Sequence, residues 1–144
     1  LVLACDLRIA LAGSTWRMPA NALGLHYYPN GLRRYVACLG LNLARQLFLT
    51  AQAVPVEVLQ AASLFVQLCG RDDFDAALQA LLQQVATLAP LSTAGTKRSL
   101  AEIGAGHFDV AALREREALA MASTDFAEGR AAFAEKRAPV FVGR

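Results

Sequence analysis

Charge is scarce and balanced in this sequence: 18% of its 144 residues are Asp, Glu, Lys or Arg, and 14 basic against 12 acidic side chains leave a formal +2. A field that weak does not hold nucleic acid or an anionic bilayer, so neither is expected as a partner. Histidine occurs twice and cysteine three times. Cys5, Cys38 and Cys69 form no CxxC pair and have no histidine at ligand spacing, which excludes a disulfide framework and gives no metal site. Reduced, buried thiols in a cytoplasmic protein are the expectation. Long apolar runs are missing as well. The longest charge-free stretch, Ala76–Thr96, contains Gln79, Gln83, Gln84, Thr87, Pro90 and Ser92 and is too polar to span a bilayer. The opening LVLACDLRIA lacks an initiator Met, a basic n-region and a cleavage site and reads as a piece of a longer chain.

What is abundant is apolar surface. With 56% hydrophobic residues, disorder is excluded, because burial offsets the ordering entropy. The length suits one domain at most.

Along the chain, DLRIALAG reads as a helix tail running into a short strand. The stretch from Gly13 to Gly31 holds Pro19, Gly24, Pro29 and Asn30 together with the sole Trp, His26 and the adjacent Tyr27 and Tyr28, and reads as a loop. Leu32, Tyr35, Val36 and Leu39, then Leu41, Ala44, Leu47 and Phe48, recur at helical spacing on either side of Gly40, predicting two helices split by that glycine. Pro55 suits the first turn of a further helix, and LFVQLC before Gly70 is a candidate strand. Asp72 or Asp73 can cap a helix over FDAALQALLQQVATLA that Pro90 ends. LSTAGTKRSLAEIGAG, VAALREREALAMAS and TDFAEGRAAFAEKR each predict another helix, giving a packed helical second half.

Several stretches, in order, resemble the enoyl-CoA hydratase/isomerase (crotonase) family. LACDLRIA matches the segment after the family's Gly-rich oxyanion turn. MPANALGL resembles PExxLG(L), and NGLRRYVACLG resembles GGTQRLxRxxG, with Gly31, Arg34 and Gly40 in matching places. LFLTAQAVPVEVLQAASLF is similar to xLLTGxxxxAxEAxxxGLV, and DFAEGRAAFAEKRAPVFVGR to DFxEGxxAFxEKRxPxFxGR. The resemblance implies an α/β crotonase-like fold, truncated here to the end of its β-β-α spiral plus a mostly helical C-terminal region. Residues 1–50 would close the spiral and hold an active-site loop at 13–31, while 51–144 would serve trimerisation and cover CoA. It also implies an acyl-CoA thioester substrate, a homotrimer or dimer of trimers, and no permanently bound cofactor, coenzyme A arriving with the substrate.

The family stabilises a thioester enolate with two backbone N–H groups, donors pre-aimed at a developing oxyanion. By resemblance both fall before Leu1, as does one of the two glutamates that hydratases use. The other belongs after Pro19, where this chain has Ala20. A methyl group cannot position a water or exchange a proton with carbon, so ordinary two-glutamate hydration is not expected. The family's IPGxGG turn becomes LHYYPNG. Leu25, His26 and Tyr27 after Gly24 resemble the GVPY segment of methylmalonyl-CoA decarboxylase, a family member that also lacks the glutamate, which makes Tyr27 the candidate partner of a substrate carboxylate.

The candidate catalytic residues are therefore Tyr27, Tyr28 and His26. Against this stand plain packing for the tyrosines and a hydrogen-bonded structural role for the histidine. Trp16, Met18, Ala20 and Gly31 are candidate substrate-binding residues, with core packing as the alternative for Trp16 and Met18. Phe133 and Lys136 match family residues that contact the adenine and phosphate end of CoA, although Lys136 and Arg137 also suit a helix C-terminus. Arg114–Glu117 reads as a solvated helix face and His107 as a solvent-facing residue. Decarboxylation or thioester hydrolysis is the alternative reaction, and a non-catalytic acyl-CoA-binding or assembly subunit the alternative class.

Overall fold

The structure is a computed structural model describing residues 1–144. Ile9–Leu11 (β1) runs parallel to Gln67–Cys69 (β4), with Ile9 opposite Gln67 and Leu11 opposite Cys69. A parallel pair needs a long crossover, and the chain between these strands supplies it. Thr15–Trp16 (β2) lies antiparallel to Val54–Pro55 (β3), Trp16 facing Val54. The expected helix tail before β1 is absent. A single 3-10 turn covers Val2–Ala4, and Arg8 is drawn into strand pairing instead, its carbonyl accepting from Val66 N at 2.7 Å and its guanidinium reaching Leu64 O at 3.4 Å.

Pro29–Thr50 (α1) begins with proline in its first turn, where the missing N–H costs nothing, and breaks at Gly40, whose φ of 72° and ψ of 165° lie outside helical space. The periodicity on either side of that break is the one that predicted two helices. Tyr35 and Leu39 are buried before Gly40, and Ala44, Leu47 and Phe48 after it. With Met18, Ala20, Val54, Leu59 and Phe65 they make one apolar core. Pro55 caps Val56–Ala61 (α2) from outside rather than sitting in its first turn.

Phe74–Ala86 (α3), Pro90–Gly104 (α4), Val110–Met121 (α5) and Thr124–Glu135 (α6) follow. The chain forms two compact units, Leu1–Ala80 and Leu81–Arg144, which divide within α3. Pro90 both ends the preceding turn and opens α4. Asp109 caps α5, accepting from Ala111 N at 2.9 Å, and Ser123 caps α6, accepting from Phe126 N at 3.0 Å. These side chains satisfy N–H groups that the helices leave unpaired.

Two surface expectations need correction. Cys5 is exposed and Cys38 only half-buried, leaving Cys69 as the buried thiol. Arg116 does not belong to a solvated face: its side chain is 17% exposed, because Nη1 donates to Ser99 Oγ at 2.9 Å and Nη2 pairs with Glu102 Oε1 at 2.7 Å, tying α5 to α4. No helix is long and apolar enough to cross a membrane.

Candidate functional site

The segment from the β1–β2 turn to α1 is fixed by hydrogen bonds between side chains and backbone. Gly13 turns the chain at φ 74° and donates to Glu57 Oε1 at 2.7 Å, a contact that holds the Glu57 carboxyl below the usual carboxylate range. Arg17 Nε donates to Ala51 O at 2.8 Å, bracing the far end of α1. Ala20 then starts a 3-10 turn over Asn21–Leu23 that ends on left-handed Gly24, and its carbonyl accepts from Leu25 N at 2.9 Å. The Ala20 methyl is buried at 3% exposure and packs in the core.

Beyond that turn the aromatics converge. The Tyr27 ring lies 5.4 Å from Phe48 and 6.1 Å, edge-on, from Tyr35, and Tyr28 sits 4.5 Å away. Such tilted and edge-to-face pairs are the favoured geometries for aromatic quadrupoles. Gly31 is buried beneath both phenols, where an added Cβ would fall 2.7 Å from Tyr27 Cδ1 and 2.9 Å from Tyr28 Cζ. The absence of a side chain is what lets the rings settle on the first turn of α1. Trp16 Nε1 donates to Tyr35 Oη at 3.3 Å.

Electrostatics favour neutral phenols here. The Tyr27 pKa is pushed up from the ordinary phenol value by the hydrogen bond it shares with Tyr28 and then by burial, with charge on Tyr28 or Tyr35 acting the same way. Burial also raises Tyr35, partly opposed by the Trp16 hydrogen bond. A neutral phenol donates a hydrogen bond; it does not serve as a base at neutral pH.

The structure thus gathers Trp16, Met18, Ala20, Tyr27 and Gly31 around one core. Tyr28 is 53% exposed and His26 is exposed on the approach to it. Phe133 and Lys136 belong to the second unit, at the end of α6. Phe133 is 88% exposed, and Lys136 caps the helix in a left-handed conformation, φ 55° and ψ 40°.

That second unit also contains a groove of about 870 Å³ whose walls include Ser99, Leu113, Arg116, Phe126, Phe133 and Phe141. Sequence reasoning missed it, because Arg116 looked like one charge among many; the only signal was its spacing from Glu102 across a predicted helix–helix turn. It also missed Asp125, a carboxylate 2% exposed that accepts from Val142 N at 2.7 Å and Gly143 N at 2.9 Å.

Comparison with known proteins bears directly on this arrangement. The sequence pattern of the enoyl-CoA hydratase/isomerase family matches residues 1–144. The bovine mitochondrial enoyl-CoA hydratase domain-containing protein 2 is 32% identical over 152 residues, covering 99% of this chain and 50% of its own length. Methylmalonyl-CoA decarboxylase of Escherichia coli is 25% identical over 147 residues, covering 99% of this chain and 56% of its own. The crystal structure of an enoyl-CoA hydratase/isomerase family protein from Hyphomonas neptunium superposes with a TM-score of 0.89 at 25% identity, covering 99% of this chain and 55% of that one. The chain spans about half the length of the curated relatives it matches. Matched from Leu1 to Arg144 in sequence and over 99% of its residues in structure, the chain belongs to the enoyl-CoA hydratase/isomerase family and has the C-terminal part of the crotonase fold.

Proposed function

We propose that these residues form the C-terminal portion of a longer, full-length protein that acts on an acyl-CoA thioester through an oxyanion-stabilised enolate, by a route other than two-glutamate hydration. The observation that carries this reading is Ala20. At the position that family resemblance gives to a glutamate, a methyl group lies buried in the core, where it can neither hold a water nor move a proton. The full-length protein would work as a homotrimer or dimer of trimers in the cytoplasm, with coenzyme A arriving on the substrate.

Decarboxylation of a malonyl-type ester is favoured over plain enoyl chemistry by the neutral Tyr27 hydroxyl, a donor suited to a carboxylate, which competes for it with Tyr28. His26 and the exposed Tyr28 flank the same turn; Trp16, Met18 and Gly31 shape its floor. The experiment is to compare crotonyl-CoA hydration and malonyl-type decarboxylation by the full-length protein. Decarboxylation without hydration supports the reading. Efficient hydration with Ala20 in place overturns it, and binding without any turnover makes the protein an acyl-CoA-binding or assembly subunit.

A further inference from the structure

We propose that Arg137–Arg144 is a strap whose seating on α6 fixes the turn carrying Phe133 and Lys136, making Glu128 and Asp125 positioning residues for a ligand that offers a flat ring and a phosphate. The inference rests on the acyl-CoA reading above and adds to it the residues that hold the contact in place.

The turn needs outside support. Lys136 is one of three non-glycine residues with positive φ, a conformation that crowds Cβ against the backbone. Arg137 supplies the support from the next position. Its backbone N donates to Ala132 O at 3.0 Å, Nη1 and Nη2 meet the two Glu128 oxygens at 2.5 and 2.8 Å, and Nε meets Glu135 Oε2 at 2.6 Å. A planar fork on a carboxylate fixes orientation as well as distance.

From there the chain runs back along α6, pinned at intervals. Val140 N donates to Glu128 Oε1 at 2.8 Å, Val142 N and Gly143 N donate to Asp125, and Arg144 O accepts from Thr124 N at 2.8 Å. Phe141 rests on Gly129, where a Cβ would lie 3.5 Å from its ring. The strap occupies Glu128, Glu135 and Arg137 with one another, while the Phe133 ring and the Lys136 side chain stay exposed. A ring and an ammonium on a turn already ordered bind with less entropy loss than the same pair on a fraying helix end.

The test measures crotonyl-CoA affinity of the full-length protein by calorimetry at low and high salt, with amide exchange at Val140, Val142 and Gly143 reporting the strap. Glu128→Gln keeps the side chain's size at a half-buried position and should leave helicity unchanged by circular dichroism. It is expected to speed exchange at Val140, weaken crotonyl-CoA roughly tenfold, the scale of one charge-assisted hydrogen bond, and reduce the salt dependence to that of Lys136→Ala. Fast exchange with wild-type affinity and salt dependence, while Lys136→Ala does weaken binding, overturns the strap and leaves the CoA contact standing. No effect of Lys136→Ala at either salt removes the contact itself and the strap's role with it. Slow exchange in Glu128→Gln also overturns the proposal, since the carboxylate would then not be holding the strap.

Discussion

Tyr27 shows how far residue-level chemistry was readable in the sequence. Its type and its neighbour in LHYYPNG pointed to two phenols at one turn, and both are there, 4.5 Å apart. The choice between packing and substrate contact was not readable, because it depends on Phe48 and Tyr35, distant in sequence and adjacent in space. In the structure the ring packs while the hydroxyl keeps a partner. Gly31→Ala should therefore destabilise the chain by about 1–3 kcal/mol, the usual cost of overpacking, since the Tyr27 ring would have to shift from its packing on Phe48 and Tyr35. Chemical denaturation would show it as a lower midpoint at unchanged slope. Tyr27→Phe keeps the ring and removes the hydroxyl. In the full-length protein a malonyl-type ester should lose roughly 1.5–3 kcal/mol of transition-state stabilisation, the range for a hydrogen bond to a charged group, while crotonyl-CoA binding hardly changes. Equal losses for both esters would return the hydroxyl to a structural role.

At the scale of elements, α1 was legible as two helices because its apolar spacing restarts after Gly40, and the backbone breaks at that residue. The Asp6–Arg8 stretch was misread because local pattern cannot register a partner strand, and β4 lies far downstream in sequence. Gly40→Ala should cost about 1–3 kcal/mol in chemical denaturation, as a Cβ is forced into a conformation open essentially to glycine, and the cost is one of backbone conformation alone, since nothing lies within 4 Å of the added atom. The α6 strap was hidden for a similar reason: DFAEGR announces a helix start, but not that Asp125 and Glu128 bind backbone further on. The Glu128 carboxyl, hydrogen-bonded to Arg137 and then to Val140 N, is held down to about 2. A carboxyl whose folded pKa is depressed contributes stability that is complete above its unfolded value, near 4.3, and disappears as pH falls through about 2. Exchange protection at Val140 should therefore decline across that window, after allowance for the intrinsic pH dependence of exchange. In Glu128→Gln the same window should be flat.

For the molecule as a whole, apolar surface stays open along the later helices: α3, α4 and α5 bury no residue completely, and Leu82, Leu100, Ile103, Leu119 and Met121 are exposed. Their helical periodicity was legible; what covers the stripe was not, since a period gives the face of a helix and not its neighbour. Surfaces of this extent bind themselves or a dye when nothing else covers them. The 144-residue chain should therefore enhance the fluorescence of a hydrophobic dye and sediment as self-associated species at micromolar concentration. A clean monomer that leaves the dye dark would show these faces to be tolerated in water. The same chain should not turn over crotonyl-CoA. On the proposed reading both enolate-stabilising N–H donors lie outside these residues, and losing even one such donor typically costs ~10²–10³ in rate. Turnover by the purified chain at a rate ordinary for enzymes would mean that the oxyanion is held by groups within residues 1–144, and would move the search for the site from the β2–α1 loop to the groove lined by Arg116 and Phe126.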